Sequence, residues 1–269
     1  MQLYKYMSHE AFLSNLKLRL TPPEDLNDPR ECVPAVHIRD PRGYADALVQ
    51  RNFEQAYLQL LIDSPDISWD ELLRRCMAAS NQTKRAIGND SDSIDKGVHD
   101  KFMKIINRKI AVLCLTETPD NELMWAHYAN SNQGYVVGFN CENEFFKPKK
   151  GEPKTCGELM PVQYTDTRPE LFVEAGNLDI PKELFFTKTL KWSYEREWRL
   201  LRLQSSANEI SSGRFHLFKV PQEVLMNVIF GLKFPETKKL EVEHAVRAIV
   251  PRVTFQNASF NHKGQFTIS

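Results

Sequence analysis

Glu195 and Glu197 stand close to Arg199 in the stretch Lys188-Thr-Leu-Lys191-Trp192-Ser-Tyr194-Glu195-Arg196-Glu197-Trp198-Arg199. On a strand, Glu197 and Arg199 point to one side, and Trp198 and Leu200 to the other. A carboxylate fixed beside a cation, opposite a packed tryptophan, can act as a general base or stabilise a cationic transition state. A surface ladder of opposite charges is the plainer alternative and contributes little. Met124-Trp125-Ala126-His127-Tyr128 forms a second constellation. At helical spacing Met124, His127 and Tyr128 share a face, and Trp125 neighbours Tyr128. These rings offer stacking surface and hydrogen bonds to a nucleotide or another flat ligand, or else they pack a core. In Tyr4-Lys5-Tyr6, the lysine could hold a phosphate or pyrophosphate while a tyrosine stacks on a base. An edge strand with a solvated lysine is the alternative. The fourth constellation is Asn27-Asp28-Pro29-Arg30-Glu31. It is either a rigid corner or a loop that aims Asp28 and Glu31 into a cleft.

These groups need a scaffold. Ser8 is placed to cap a short helix carrying Phe12, Leu13 and Leu16, and Leu18–Thr21 alternates like a strand that Pro22-Pro23 stops. Residues 44–109 are charged and nearly free of glycine, with apolar side chains at helical spacing. Helices are expected over Ala45–Leu61, Trp69–Ala79 and Ile94–Ile106, with an exposed loop at Asn89-Asp90-Ser91-Asp92-Ser93. Strands are expected at Ile110–Thr116, Gly134–Phe139, Met160–Tyr164, Glu197–Leu203, Phe215–Val220, Val224–Phe230 and Val253–Phe255. Between them the spacing predicts helices near Asn121–Ala129, Lys182–Lys188 and Glu236–Ile249, the first capped by Thr118 with Pro119 at its first position. Strands in clusters without βαβ alternation predict an α+β fold. The expectation is one domain over 1–269, built on a mixed or antiparallel sheet with flanking helices and a helical insertion near 44–109.

Composition narrows the function classes. The chain has 269 residues, 35 basic and 35 acidic side chains, and 42% hydrophobic residues. Disorder and a disulfide scaffold are excluded, and a strongly basic nucleic-acid coat finds no support. Lys147, Lys149, Lys150 and Lys154 form the one obvious basic cluster. The longest apolar run, Ile110–Leu115, is far short of the roughly 20 residues of a membrane helix. No signal-peptide pattern opens the chain, so a cytoplasmic protein without a membrane partner is expected. Cys32, Cys76, Cys114, Cys141 and Cys156 are scattered without a C-x-x-C pair, and His127 has no second ligand at helical spacing, so no metal site is expected. Phosphate loops, dinucleotide fingerprints and nucleophile elbows are absent. Pro119-Asp120 with Glu152-Pro153-Lys154 only superficially suits a metal-dependent nuclease.

Taken in order, Tyr4-Lys5-Tyr6, Asn27-Asp28-Pro29-Arg30-Glu31, Cys114-Leu-Thr-Glu117, Leu123–Ala129, Gly134–Phe139 and Trp192–Arg199 resemble the motifs of the bacterial domain-of-unknown-function 2971 (DUF2971) family. Members of that family resemble parts of anti-phage and toxin-like systems. The motif order is also similar, at the level of fold, to ADP-ribosyltransferase-like proteins, in which a split sheet grips NAD. That likeness implies an enzyme that consumes NAD as substrate and transfers or hydrolyses ADP-ribose, with a protein or nucleic-acid acceptor still to be identified. Tyr4, Lys5 and Tyr6 would then lie on the first strand beside NAD, with Asn27, Asp28 and Arg199 among the binding residues. Trp125, His127 and Tyr128 would form the nicotinamide or ribose wall, His127 also being counted with the catalytic groups. Glu197, with Glu195 as the alternative, would orient the ribose hydroxyl and stabilise an oxocarbenium-like transition state. The competing class is a non-enzymatic nucleotide-sensing or partner-binding module.

Overall fold

Runs that are apolar on both faces of a strand form the centre of the sheet. In the computed structural model, which describes residues 1–87, 91–153, 155–174, 177–178 and 180–269, the segments Ile110–Thr116 and Tyr135–Asn140 are buried along nearly their whole length. A strand covered on both faces needs such a sequence. In chain order the elements begin β1 (Gln2–Met7), α1 (Ala11–Asn15), β2 (Lys17–Arg19), β3 (Ala35–Ile38), α2 (Pro41–Asp63), α3 (Trp69–Ile87), α4 (Ser91–Lys109), β4 (Ile110–Thr116), α5 (Glu122–Tyr128) and β5 (Tyr135–Asn140). They continue with β6 (Leu159–Pro161), β7 (Gln163–Tyr164), β8 (Glu170–Glu174), β9 (Asn177–Leu178), β10 (Thr187–Lys188), β11 (Glu197–Leu203) and β12 (Glu209–Ser211). Last come β13 (Phe215–Lys219), β14 (Leu225–Phe230), α6 (Glu236–Ile249), β15 (Thr254–Phe260) and β16 (Phe266–Ile268).

The chain divides into two compact units, Met1–Cys32 with Ile106–Thr167 and Phe185–Ser269, and Val33–Ile105 with Arg168–Leu184. The first unit holds a mixed sheet of eight strands in the order β16-β15-β14-β5-β1-β4-β11-β6. Only β14 and β15 run parallel; the other neighbours are antiparallel. One face packs Leu3, Met7, Leu113, Leu115, Val137, Phe139 and Leu200 with α1 and α6 side chains such as Phe12, Leu13, Val242 and Val246. The other packs Tyr6, Val136 and Ile229 against Met124, Trp125 and Ala129 of the α5 segment. The fold is α+β.

The sheet is parted between β1 and β4. Six residue pairs join β1 to β5 and seven join β4 to β11, whereas β1 and β4 share only Tyr4↔Thr116. Beyond that pair, Thr21 takes over the β4 edge by exchanging two backbone hydrogen bonds of 2.8 Å with Val112.

The second unit contains α2, α3 and most of α4, with β3 parallel and β9 antiparallel to β8. Asp40 caps α2 by accepting from the Gly43 N–H at 2.9 Å, and Tyr57 meets Trp69 edge to face at 6.4 Å. The helices predicted over 44–109 are thus present, each longer than its apolar stripe. Asn89 and Asp90 of the predicted loop lie outside the described residues, and Ser91–Ser93 open α4.

Four local expectations are corrected. The N-cap of α1 is Glu10, without a side-chain cap bond, rather than Ser8. Asn121 rather than Thr118 caps α5, because its side-chain oxygen accepts from both Leu123 N and Met124 N, at 3.0 and 3.2 Å. The helix expected over Lys182–Lys188 shrinks to a single 3-10 turn at Lys182–Leu184, and Lys188 instead lies on β10 beside Tyr164. Met160–Tyr164 splits into β6 and β7 at Val162, whose N–H turns to the Glu197 carbonyl at 2.8 Å. Among the described residues no helix is long and apolar enough to cross a membrane.

Candidate functional site

Strand alternation and one unusual backbone angle bring the two glutamates together. In β11, Glu197 pairs with Thr116 and Arg199 with Cys114, so all four share a face of the sheet, while Trp198 and Leu200 oppose Leu115 and Leu113 on the other. Arg196 adopts a left-handed conformation (φ 44°) at the end of the 3-10 turn Leu190–Glu195. That kink carries its own side chain outward and leaves Glu195 buried next to Glu197. Thr116 secures the bend, its hydroxyl donating to the Glu195 carbonyl at 2.5 Å.

Charge then organises the site. Lys188 places its ammonium 2.6 Å from Glu195 Oε2 and 3.2 Å from both Glu197 Oε2 and Glu31 Oε1. It also sits over the Trp192 ring, 4.8 Å from the centroid. Arg199 grips Glu197 as a fork, with Nε to Oε1 at 2.8 Å and Nη2 to Oε2 at 3.0 Å. The same guanidinium pairs with Glu31 and donates to the Phe185 carbonyl at 2.8 Å. All five charged side chains are 5% exposed or less. Such a group persists because every carboxylate touches a cation, three acids sharing two bases.

The two glutamates are pushed apart in proton affinity. Burial alone would raise Glu197, but Arg199 and Lys188 outweigh it and hold the carboxyl at about 2. For Glu195 burial wins: its pKa lies above the ordinary carboxylate value despite Lys188 and a 2.6 Å hydrogen bond from the Tyr128 hydroxyl. Tyr128 is raised in turn, first by burial and then by Glu195. Tyr164, whose oxygen accepts from the Glu197 N–H at 2.7 Å, is pushed by burial up to about 12.

A carboxyl depressed in the folded state contributes stability that is present above its unfolded value and disappears as pH falls through the folded one. For Glu197 that window runs from 4.5 down to about 2 and corresponds to roughly 3 kcal/mol. Melting temperatures recorded from pH 6 to 2 are therefore expected to fall most steeply across this window. A flat profile there would show that Glu197 is not ion-paired.

These groups line a cavity of about 200 Å³. Its lining includes Glu31, Glu195, Glu197 and Lys188, together with Tyr4, Tyr6, Met124 and Tyr128. The parting of the sheet contributes Lys5, Thr21 and Cys114. Asn27 and Asp25 also line it, from the loop that follows β2.

The predicted site residues thus separate. Tyr4, Lys5, Tyr6, Asn27, Tyr128, Glu195 and Glu197 meet at the cavity. Arg199 stands behind it as the holder of Glu197 and Glu31. Asp28 is buried outside the lining, where it accepts from the Thr189 hydroxyl at 2.8 Å and from Arg30 N at 3.0 Å. Trp125 is a core residue, fully buried, edge to face with Tyr6 at 5.3 Å and donating to the Pro119 carbonyl at 2.8 Å. His127 is exposed on α5, with its ring 6.2 Å from that of Tyr128. In the basic cluster, Lys147, Lys149 and Lys150 are exposed, and Lys154 lies outside the described residues. Glu152 pairs with buried Arg202 at 2.6 Å.

Lys188, Tyr164 and the ligation of Glu31 are the parts that sequence reasoning missed. Lys188 stood in a motif without a partner at any regular spacing. Its signal was a lysine ahead of two closely spaced glutamates.

No curated protein and no solved structure matches the chain. Residues 124–200, the segment that carries Tyr128, Lys188, Glu195, Glu197 and Arg199, match the model of DUF2971, a family described as protein of unknown function and the one that the motifs resemble.

Proposed function

We propose that the first unit is an enzyme that binds a nucleotide, with NAD the leading candidate, and hydrolyses or transfers its ribosyl group at the glycosidic bond. The observation that carries this reading is a pair of buried glutamates with opposed proton affinities lining one cavity, the pattern by which neighbouring carboxylates take different roles. Glu197 is saturated by the Arg199 fork and Lys188, so it sets the field. Glu195, with the higher proton affinity, is the working carboxylate.

In this scheme the C1′–N bond breaks, nicotinamide leaves as a neutral base, and positive charge grows on the ribose. Glu195 stabilises that charge and takes the proton of the attacking hydroxyl. Water as the attacking group gives hydrolysis; a protein or nucleic-acid acceptor gives transfer. Tyr128 orients Glu195, and the tyrosines around the cavity offer faces for a flat ring. Depletion of NAD would suit the phage-defence or toxin role that the family resemblance implies.

A second reading rests on the closed ion-pair network. Both oxygens of Glu195 and of Glu197 already have partners, an arrangement that also suits a nucleotide sensor without turnover. The test is nicotinamide release from NAD by the purified protein, with melting curves recorded with and without NAD. Release supports the enzyme, and a melting shift without release supports the sensor. The absence of both signals would overturn both readings.

A further inference from the structure

Each acid lining the cavity touches a cation, three of them sharing two. Glu31, Glu195 and Glu197 belong to Lys188 and Arg199, and Asp25 pairs with Arg19 at 2.5 Å. Lys5 is the exception among the described basic residues of the lining. Among the described residues its ammonium makes one hydrogen bond, 3.2 Å to the Cys114 carbonyl, and has no carboxylate within ion-pair distance. An ammonium has three donors, so two remain for something else.

Its place in the fold explains the isolation. Tyr4 and Tyr6 face α5, and alternation turns Lys5 to the opposite face of β1. Because β1 and β4 share only the Tyr4↔Thr116 pair, the side chain can enter the parting and reach the unpaired edge of β4. There, burial lowers its pKa, and Cys114 and Glu197 only partly compensate. An ammonium that lines a cavity with two donors unused is placed to take an anionic group of a ligand.

We infer that Lys5 binds the phosphate of the ligand through the parting between β1 and β4, so that the site takes nucleotides and discriminates against nucleosides. This deepens the reading of the cavity as a nucleotide site. A phosphate satisfies both free donors of Lys5, while the sugar end lies toward Glu195. Lys188, committed to three carboxylates, has no capacity left for the same task. Charge-assisted hydrogen bonds of this type are worth at least about tenfold in affinity.

The test is titration calorimetry of the intact protein with AMP, adenosine and inorganic pyrophosphate. AMP is expected to bind at least about tenfold tighter than adenosine. Lys5→Met should bring AMP down to the affinity of adenosine and remove pyrophosphate binding, and Lys5→Arg should retain part of both. Melting curves on the variants separate loss of fold from loss of ligand, and the wild-type comparison of AMP with adenosine needs no variant. Equal affinities for the two, no binding of either, or full AMP affinity in a well-folded Lys5→Met protein would each overturn the inference. Lys5-dependent AMP binding without NAD turnover would leave it standing and remove only the catalytic proposal. Turnover with a KM that Lys5→Met does not change would do the reverse.

Discussion

Replacing Glu195 by glutamine is expected to reduce nicotinamide release from NAD by at least about 100-fold, the scale of a positioned general base, and to leave the protein folded. The asymmetry between the two glutamates makes this the informative substitution. Lys188 keeps Glu31 and Glu197 as partners when Glu195 loses its charge. The amide oxygen can accept from Tyr128 or from Lys188, though not from both at their present positions, so a stability loss of about 1–3 kcal/mol is anticipated. KM should change far less than kcat, because the carboxylate acts chiefly when charge develops on the ribose. A Glu195→Gln protein that turns over NAD at the wild-type rate would remove Glu195 from the chemistry. Glu197→Gln is a poorer probe, since it strips a partner from Lys188 and Arg199 together and confounds stability with activity.

The largest stability effect is expected at Arg199. Its fully buried guanidinium forms the fork to Glu197, the pair with Glu31 and the bond to the Phe185 carbonyl. Arg199→Met would leave three buried carboxylates sharing Lys188 alone and one backbone acceptor without its donor. Breaking one side of a buried ion pair costs about 3–5 kcal/mol, on the order of a 10 °C drop in melting temperature for a unit of this size. Arg199→Lys should recover only part, because an ammonium cannot reproduce the fork. Adding Glu31→Gln to Arg199→Met should recover some of the loss by removing one unpaired charge, a coupling that a double-mutant cycle reads directly. A melting temperature for Arg199→Met within about 2 °C of wild type would show that the network does not hold this part of the fold.

Tertiary pairing, rather than local pattern, made Lys188 and Glu31 central. Lys188 sits on a two-residue strand whose partner, Tyr164, is as brief, and neither shows a periodicity long enough to read. Glu31 meets Arg199 across 168 positions of sequence, and nothing local to either residue encodes that meeting. Trp125 marks the same limit from the other side. Helical spacing correctly puts Tyr128 and Met124 on a packed face of α5, but it cannot say whether that face meets a core or a cavity. Here Trp125 goes to the core, Tyr128 reaches Glu195, and His127 faces outward.

What the sequence determined by itself was whatever depends on near neighbours. The alternation Glu197-Trp198-Arg199-Leu200 already placed acid and base on one face of a strand. The apolar runs of β4 and β5 already marked the middle of a sheet, and the stripes between residues 44 and 109 already marked helices. Only the tertiary structure decided the parting between β1 and β4, the lysine that enters it, and the division of two neighbouring glutamates into one with a low and one with a raised proton affinity. Side-chain direction along a strand or helix follows from backbone geometry over a few residues, whereas a pKa and an unpaired charge depend on which distant groups share the same low-dielectric space.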